Sequence, residues 1–366
     1  MLYTIIIIIT LFIIATAFTM SQAKFGRAPQ GARLARILKS PNYRNGAFQN
    51  QSYTPILAED ASYWALSWNF FFGRREKLSP IDSMPSMKTN LINLNLNEDL
   101  LVWFGHSSYF MQLSGKRFLV DPVLSGSASP FSFMIKAFKG ANNYSAKDFP
   151  DIDYLIITHD HWDHLDYETV LQLKQKVKTV ICGLGVGEHF ESWGFDATTI
   201  VEMDWNDKLD IDSGFVINAT PARHFSGRTF KRNQTLWCSY VVQTPTKNIF
   251  LGGDGGYDNH FAAIGQQFGS IDLAILENGQ YNNDWRYIHT LPNEIGKVFR
   301  DLKAKKLLAV HSSKFALAKH AWDEPLISIS ATSKAENIHL ITPMIGELVH
   351  LNDDNQQFAE WWKGVN

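Results

Sequence analysis

The segment His159-Asp160-His161-Trp162-Asp163-His164 packs three histidines and two aspartates into six positions. It directly follows an apolar run, residues 153–158, that reads as a buried strand. A lone histidine is usually a satisfied core or surface residue. Clustering this dense at a strand-to-loop junction points instead to metal ligation. Alternate spacing lets His159 and His161 face one metal, while Asp163 and His164, past a turn, face a second. Imidazole with carboxylate suits Zn²⁺, and also Fe or Mn. The two cysteines, Cys182 and Cys238, exclude a Cys-rich zinc finger and a disulfide-dense scaffold. A metal or acid–base site must then be built from the twelve histidines and the carboxylates.

Further ligands are expected at other strand ends. His224 closes the segment 215–223, Asp254 follows residues 248–252 within Gly252-Gly253-Asp254-Gly255-Gly256, and His311 follows residues 306–310. Each sits at the exit of an apolar strand, where open sheets present their chemistry. The glycines beside Asp254 leave the backbone free to turn sharply towards an ion. Residues 100–104, 109–113 and 117–121 read as a meander with a Ser114-Gly115 turn. Residues 179–182, 236–243 and 273–276 read as further strands, and 167–178, 261–268 and 292–303 have helical periodicity. Meanders followed by mixed strands and helices predict an α/β (α+β) sandwich with helices outside two packed sheets.

The N-terminus is of a different character. No charged side chain precedes Lys24, and residues 2–20 are apolar apart from threonines and a tyrosine. Nineteen residues at about 1.5 Å each span about 28 Å, close to the roughly 30 Å hydrocarbon core of a bilayer. The lack of Lys or Arg at its start and its length favour an uncleaved single-pass anchor over a signal peptide. Ser21-Gln22-Ala23 nevertheless offers small residues for cleavage, which would leave the protein periplasmic or secreted. Lys24, Arg27, Arg33, Arg36 and Lys39 follow the run, and the positive-inside rule places the remainder in the cytoplasm. The expected division is 1–23 anchor or signal peptide, 24–98 arm, 99–352 catalytic domain and 353–366 tail. The arm carries an aromatic island, Tyr63, Trp64, Trp68, Phe70, Phe71 and Phe72. It either packs on the domain or lies at a bilayer surface. Phe131, Phe133, Met134, Ile135, Ala137 and Phe138, with Lys136 and Lys139 beside them, form either an interfacial loop or a packed helix.

The order His159-x-His161-x-Asp163-His164, His224, Asp254, His311 resembles the metallo-β-lactamase superfamily from about residue 99 to 350. The resemblance implies a four-layer αββα sandwich with a dinuclear site between the sheets. It implies that His159, His161 and His224 hold the first metal, that Asp163, His164 and His311 hold the second, and that Asp254 bridges them. Asp121 would orient a ligand imidazole from behind, with His106 also supporting the ligands. Within the superfamily, Trp103-Phe104-Gly105-His106-Ser107-Ser108, Phe118-Leu119-Val120-Asp121-Pro122-Val123, His224-Phe225-Ser226-Gly227-Arg228 and Gly252-Gly253-Asp254-Gly255-Gly256-Tyr257 are similar to the N-acylphosphatidylethanolamine-hydrolysing phospholipase D branch. His289 matches a histidine near the substrate in that branch and is a candidate substrate contact or proton donor. Ser312 departs from the tryptophan that usually follows the last histidine, which bears on substrate fit more than on metal binding.

These motifs imply a hydrolase with two Zn²⁺ ions, Fe or Mn being chemically admissible. Two metals would lower the pKa of a water and polarise a phosphoryl or carbonyl oxygen. Asp254 could steer the water, and Arg223 and Arg228 are candidate cationic partners for a substrate anion. A phosphodiesterase acting on a membrane lipid is the first expectation. A lactonase or β-lactamase-type enzyme acting on a small cyclic molecule is the alternative, and a non-catalytic membrane or nucleic-acid-binding protein that keeps the metals is the third. The net charge of −2 argues against a nucleic-acid partner.

Overall fold

Successive side chains of the first long strand turn to opposite sides: Leu101 and Trp103 join one apolar cluster, Val102 and Phe104 another. This period-two alternation recurs along both sheets and leaves each apolar on two faces, so each is covered twice. The computed structural model describes residues 1–366 except 63, 65–67, 69–71, 74–76 and 213 and the side chain of residue 212. Tyr63, Phe70 and Phe71 of the aromatic island lie outside the described residues, whereas Trp64, Trp68 and Phe72 are exposed.

The arm contributes a small hairpin, β1 (Tyr43–Arg44) with β2 (Ala47–Phe48). The first large sheet is built from β3 (Leu100–Trp103), β4 (Tyr109–Leu113), β5 (Lys116–Val120), β6 (Ile152–Ile157), β7 (Val177–Gly183) and β8 (Ile200–Met203). Its first three strands are antiparallel and the rest parallel. The second holds β9 (Lys208–Asp212), β10 (Phe215–Thr220), β11 (Ser239–Gln243), β12 (Asn248–Leu251), β13 (Ile271–Glu277), β14 (Ala304–Val310) and β15 (His339–Ile341). The chain then returns to the first sheet as β16 (Leu348–His350), antiparallel to β3.

Between the sheets lies a cluster including Trp103, Phe118, Ile156, Tyr240, Leu251, Ile275 and Val310. On the outer face of the first sheet, Val170 and Leu173 of the helix Tyr167–Leu173 pack with Phe190 of the helix Gly187–Ser192. Helices His260–Phe268, Ile295–Asp301 and Glu324–Glu336 cover the second sheet through Phe261, Ile264, Val298 and Ile329. The layers are therefore helix, sheet, sheet, helix, the expected αββα sandwich. The expected helix 167–178 ends at Leu173, because the chain must turn to begin β7 at Val177. Residues 353–366 bring Trp361 and Trp362 into the central cluster.

Leu2–Met20 is one α-helix with mean hydropathy 2.5, none of it buried against the rest of the chain. Three of the basic residues after it are bound to the domain. Arg27 pairs with Glu188 at 2.6 Å, and Arg33 reaches Glu188 at 2.7 Å, Glu202 at 2.6 Å and Glu191 at 3.0 Å. Arg36 pairs with Asp207 at 3.4 Å. The stretch 131–138 forms turns closed by a bridge between Ser127 and Lys136, not a helix. Phe138 is buried while Phe133 is exposed.

Candidate metal centre

Sharp turns at the strand exits aim the site residues inwards. His106, Asp121 and His311 all take positive φ, at 53°, 43° and 66°, a region that non-glycine residues rarely occupy. Backbone hydrogen bonds lock this geometry: the His106 N–H donates to Ser312 and the His311 N–H donates to His106, at 2.8 and 2.9 Å. Gly253 precedes Asp254 with φ 60°, and a Cβ there would stand 2.8 Å from Thr158 Cβ. The glycine lets the β12 exit approach the β6 exit.

The donors converge as two linked groups. His159 Nε2 lies 2.9 Å from His161 Nδ1, which lies 3.2 Å from His224 Nε2. The second group holds Asp163, His164, His311 and His106. Asp254 stands between them: Oδ2 is 3.2 Å from His164 Nε2, 3.8 Å from His224 Nε2 and 4.0 Å from His159 Nε2, and Oδ1 is 3.2 Å from His311 Nδ1. Every one of these residues except the partly buried His161 is buried.

Outer partners orient the rings. Asp121 Oδ2 is 2.8 Å from His164 Nδ1 and accepts from the Thr158 hydroxyl at 2.6 Å. His224 Nδ1 donates to the Ile288 carbonyl at 2.8 Å, and Ser107 Oγ lies 2.8 Å from His311 Nδ1. His106 Nε2 is 2.9 Å from Asp163 Oδ2. For all their polar neighbours at 3.2 Å, His164 Nε2 and Asp254 Oδ1 are buried without an aligned hydrogen bond among the described residues. Such orphaned atoms are costly unless a ligand meets them. Burial pushes His159, His224 and His311 well below the usual imidazole range, which keeps their lone pairs free. Burial opposes charge on His164, yet Asp254, Asp163 and Asp121 hold it well above that range. Neutral imidazoles turned inwards around carboxylates in a cation-favouring field fit divalent metal ions.

Beside this cluster, His289 Nδ1 is 2.6 Å from Glu277 Oε2. His289 and the ligand candidates floor a cavity of about 210 Å³ whose walls are Ile56, Leu57, Phe225, Trp285, Ile288 and Leu317. A larger cleft near Lys305 and His339 lies at the other end of β14 from His311, and among the described residues its His339, Asp272 and Asp354 do not converge as a metal-binding group.

Two expected substrate contacts are not at the cavity. Arg223 donates to Thr54 Oγ1 and to the carbonyls of Tyr53 and Tyr257. Arg228 is buried and donates to the carbonyls of Lys24, Asp160 and Leu165, with its guanidinium 3.8 Å from the Trp162 ring centroid. The Arg223 guanidinium is consumed by tying the arm to Tyr257 beyond β12, and that of Arg228 by tying the arm to the ligand loop beyond β6. Other participants carry no local sequence signal. Asn50 of the arm clamps His224 through both its N–H and its carbonyl, at 3.1 and 2.7 Å. Asp160 accepts from the Gly227 N–H and the Thr235 hydroxyl at 2.7 and 2.9 Å, and lies 3.2 Å from His189 Nε2.

Comparison with known proteins agrees with this geometry. Residues 116–312 match the family described as the beta-lactamase superfamily domain. An uncharacterized protein of Mycobacterium tuberculosis is 34% identical over 329 residues, covering 89% of this chain and 88% of that protein. The mitochondrial N-acyl-phosphatidylethanolamine-hydrolyzing phospholipase D of Saccharomyces cerevisiae is 32% identical over 238 residues, covering 61% of this chain and 49% of its own length. A metallo hydrolase of Ignicoccus hospitalis superposes with TM-score 0.54 at 18% identity, covering 69% of this chain and 97% of the other. CmlA, a diiron beta-hydroxylase of Streptomyces venezuelae, does so with TM-score 0.53 at 18% identity, covering 69% and 54%. With the sandwich, the strand-exit donors and the matched residues in agreement, the chain belongs to the β-lactamase superfamily of metal-dependent hydrolases.

Proposed function

We propose that this hydrolase is a dinuclear phosphodiesterase acting on a membrane lipid of the N-acylphosphatidylethanolamine type. The observation that carries the reading is the contrast within the cavity: a floor of histidines and aspartates under walls of Ile56, Leu57, Trp285, Ile288 and Leu317. Such a cavity suits a polar reacting group joined to an apolar body. The phospholipase D relatives support the lipid substrate. The helix Leu2–Met20 supports membrane attachment. In this reading residues 1–23 are the anchor, 24–98 the arm, 99–352 the catalytic domain on the cytoplasmic side, and 353–366 the tail.

His159, His161 and His224 would hold one zinc ion, and Asp163, His164 and His311 the other, with Asp254 shared. Bound divalent ions supply an acidified water and polarise the phosphoryl oxygen. Asp254 accepts from and orients the attacking water. Glu277 keeps a proton on His289, whose Nε2 is left to protonate the departing alkoxide. Asp121 fixes the His164 ring, and His106 fixes the Asp163 carboxylate. Ile56 and Leu57 exclude bulk water from the cavity wall.

The test is turnover by purified, metal-quantified protein on N-acylphosphatidylethanolamine vesicles, a short soluble phosphodiester, a carboxylic ester and a lactone, with products identified by mass. Phosphatidic acid and an N-acylethanolamine are expected from the first. A lactone hydrolysed far faster than every phosphodiester would overturn the reading. The modest cavity, about 210 Å³ with no lysine or arginine among its described lining residues, favours that second reading, a lactonase or β-lactamase-type hydrolase of a small ring.

A further inference from the structure

The tether between the apolar helix and the domain is short. Leu2–Met20 is followed by Ser21 and Gln22, and the carbonyl of Ala23 already accepts from Trp193 Nε1 at 2.6 Å. The Lys24 carbonyl accepts twice from buried Arg228, at 3.1 and 2.8 Å. Phe25 is buried with its ring 5.2 Å from Trp162 of the ligand loop. The Arg27 N–H donates to His189 Nδ1 at 3.1 Å. The four residues from Ser21 to Lys24 span at most about 14 Å, so the Lys24 backbone lies within about that distance of the helix end.

The surface around Lys24 is apolar on two sides. Lys24 Nζ sits 5.4 Å from the Phe131 ring centroid, and Phe131 is 5.7 Å from Phe133. Phe133 is 73% exposed and Met134 41%. Phe230, two residues beyond Arg228, is 84% exposed. Exposed Lys136 and Lys231 flank the two loops. Large aromatics with cations at their rim match the layer where head groups meet acyl chains.

We propose that the loops bearing Phe131–Met134 and Phe230 form a seat that enters the bilayer interface beside the exit of the apolar helix. The occupant is lipid, because the neighbouring element is itself a bare apolar helix of bilayer length and the tether leaves no room for a protein layer between them. This rests on the reading of Leu2–Met20 as a membrane helix but not on the identity of the substrate. The seat is also joined to the site. Ile135 and Ala137 pack against the small cluster of Val123, Ala128 and Phe315, and the Phe315 ring is 5.3 Å from that of His106, the partner of Asp163.

The experiment uses the full chain, whose two native cysteines are buried. Phe133→Cys, Phe230→Cys and, as a control, Asp151→Cys at the far end of β6 are labelled with a polarity-sensitive fluorophore. The proteins are reconstituted into phosphatidylcholine vesicles containing phosphatidylglycerol, with or without nitroxide head-group lipids. Expected are blue-shifted emission and several-fold greater quenching at 133 and 230 than at 151, with all three chains retained after a carbonate wash. Retention with equal quenching at all three positions overturns the seat and leaves the anchor standing. Loss of the chain in the wash overturns both.

Discussion

Glu277 Oε2 lies 2.6 Å from His289 Nδ1, while Glu277 Oε1 accepts from the backbone N–H groups of Thr290 and Gly255 at 2.7 and 3.2 Å. Burial alone would drive both groups to their neutral forms. On His289 the contact prevails and raises the imidazole to about 9, while on Glu277 burial prevails and pushes the carboxyl up to about 7, so the pair is fully charged only between about 7 and 9. A proton donor of this kind is active below its pKa, so the rate should fall as pH rises through about 9. His289→Ala is expected to lower kcat by roughly 10²–10³-fold on alkyl phosphodiesters, and much less on nitrophenyl esters, whose leaving group needs no proton. Glu277→Gln should lower kcat about 10-fold or more and bring the alkaline limb to lower pH. Equal losses on both leaving groups would remove His289 from that role.

Asp254 is the carboxylate nearest to both ligand groups. Asp254→Asn should therefore drop the bound metal from about two ions per chain to one or fewer and cost at least about 10²-fold in rate, with the far-ultraviolet dichroism unchanged. Elemental analysis of protein prepared without chelator reads the first effect directly. Full occupancy with normal turnover would show that the ions lie elsewhere.

Arg228 makes a prediction opposite to that of a substrate contact. Arg228→Ala strips hydrogen bonds from the carbonyls of Lys24, Asp160 and Leu165 and removes the stacking on Trp162. Orphaned buried carbonyls cost about 1–3 kcal/mol each, so a loss of stability on the order of 3 kcal/mol is expected. Thermal unfolding should show it, while KM at a temperature where the variant is folded stays within about 2-fold. A large rise in KM without destabilisation would restore the substrate role.

His260 carries an acid-sensitivity prediction away from the ligands. Burial lowers its imidazole to about 4, against the pull of Asp258. The folded state therefore favours the neutral ring. Its contribution is complete above pH 6.5 and is lost progressively as pH falls towards 4, amounting to about 3 kcal/mol. Urea midpoints measured from pH 7 to pH 4.5 should decline less steeply in His260→Gln than in the parent chain. Parallel declines would mean that His260 is not the titrating group.

The centre of the site is legible because each donor follows its own apolar strand. His159, His224, Asp254 and His311 each stand at or within a few residues of the ends of β6, β10, β12 and β14. The helices 261–268 and 292–303 were likewise marked by periodicity, and the structure has them at His260–Phe268 and Ile295–Asp301. What the sequence conceals is carried by partners remote along the chain. Arg33 and Glu202 are 169 positions apart, and Asn50 and His224 are 174 apart. An Asn- and Ser-rich arm has no period to betray which of its residues will wall a cavity, so Ile56 and Leu57 gave no warning. The same holds for Arg223 and Arg228. An arginine beside a ligand looks the same in sequence whether it greets an anion or backbone carbonyls.

The candidate ligands come from both sheets. Those between His159 and His164 follow β6 of the first, and His224, Asp254 and His311 follow strands of the second. Ions held there would rivet the two halves of the sandwich. Whatever binds the folded chain and not the unfolded one shifts that equilibrium by mass action, so a chelator should act on this protein as a denaturant of the seam. Exposure to proteolysis would then rise whenever divalent ions run short. The lifetime of the protein in the cell would then become a gauge of metal supply, set before any substrate is encountered.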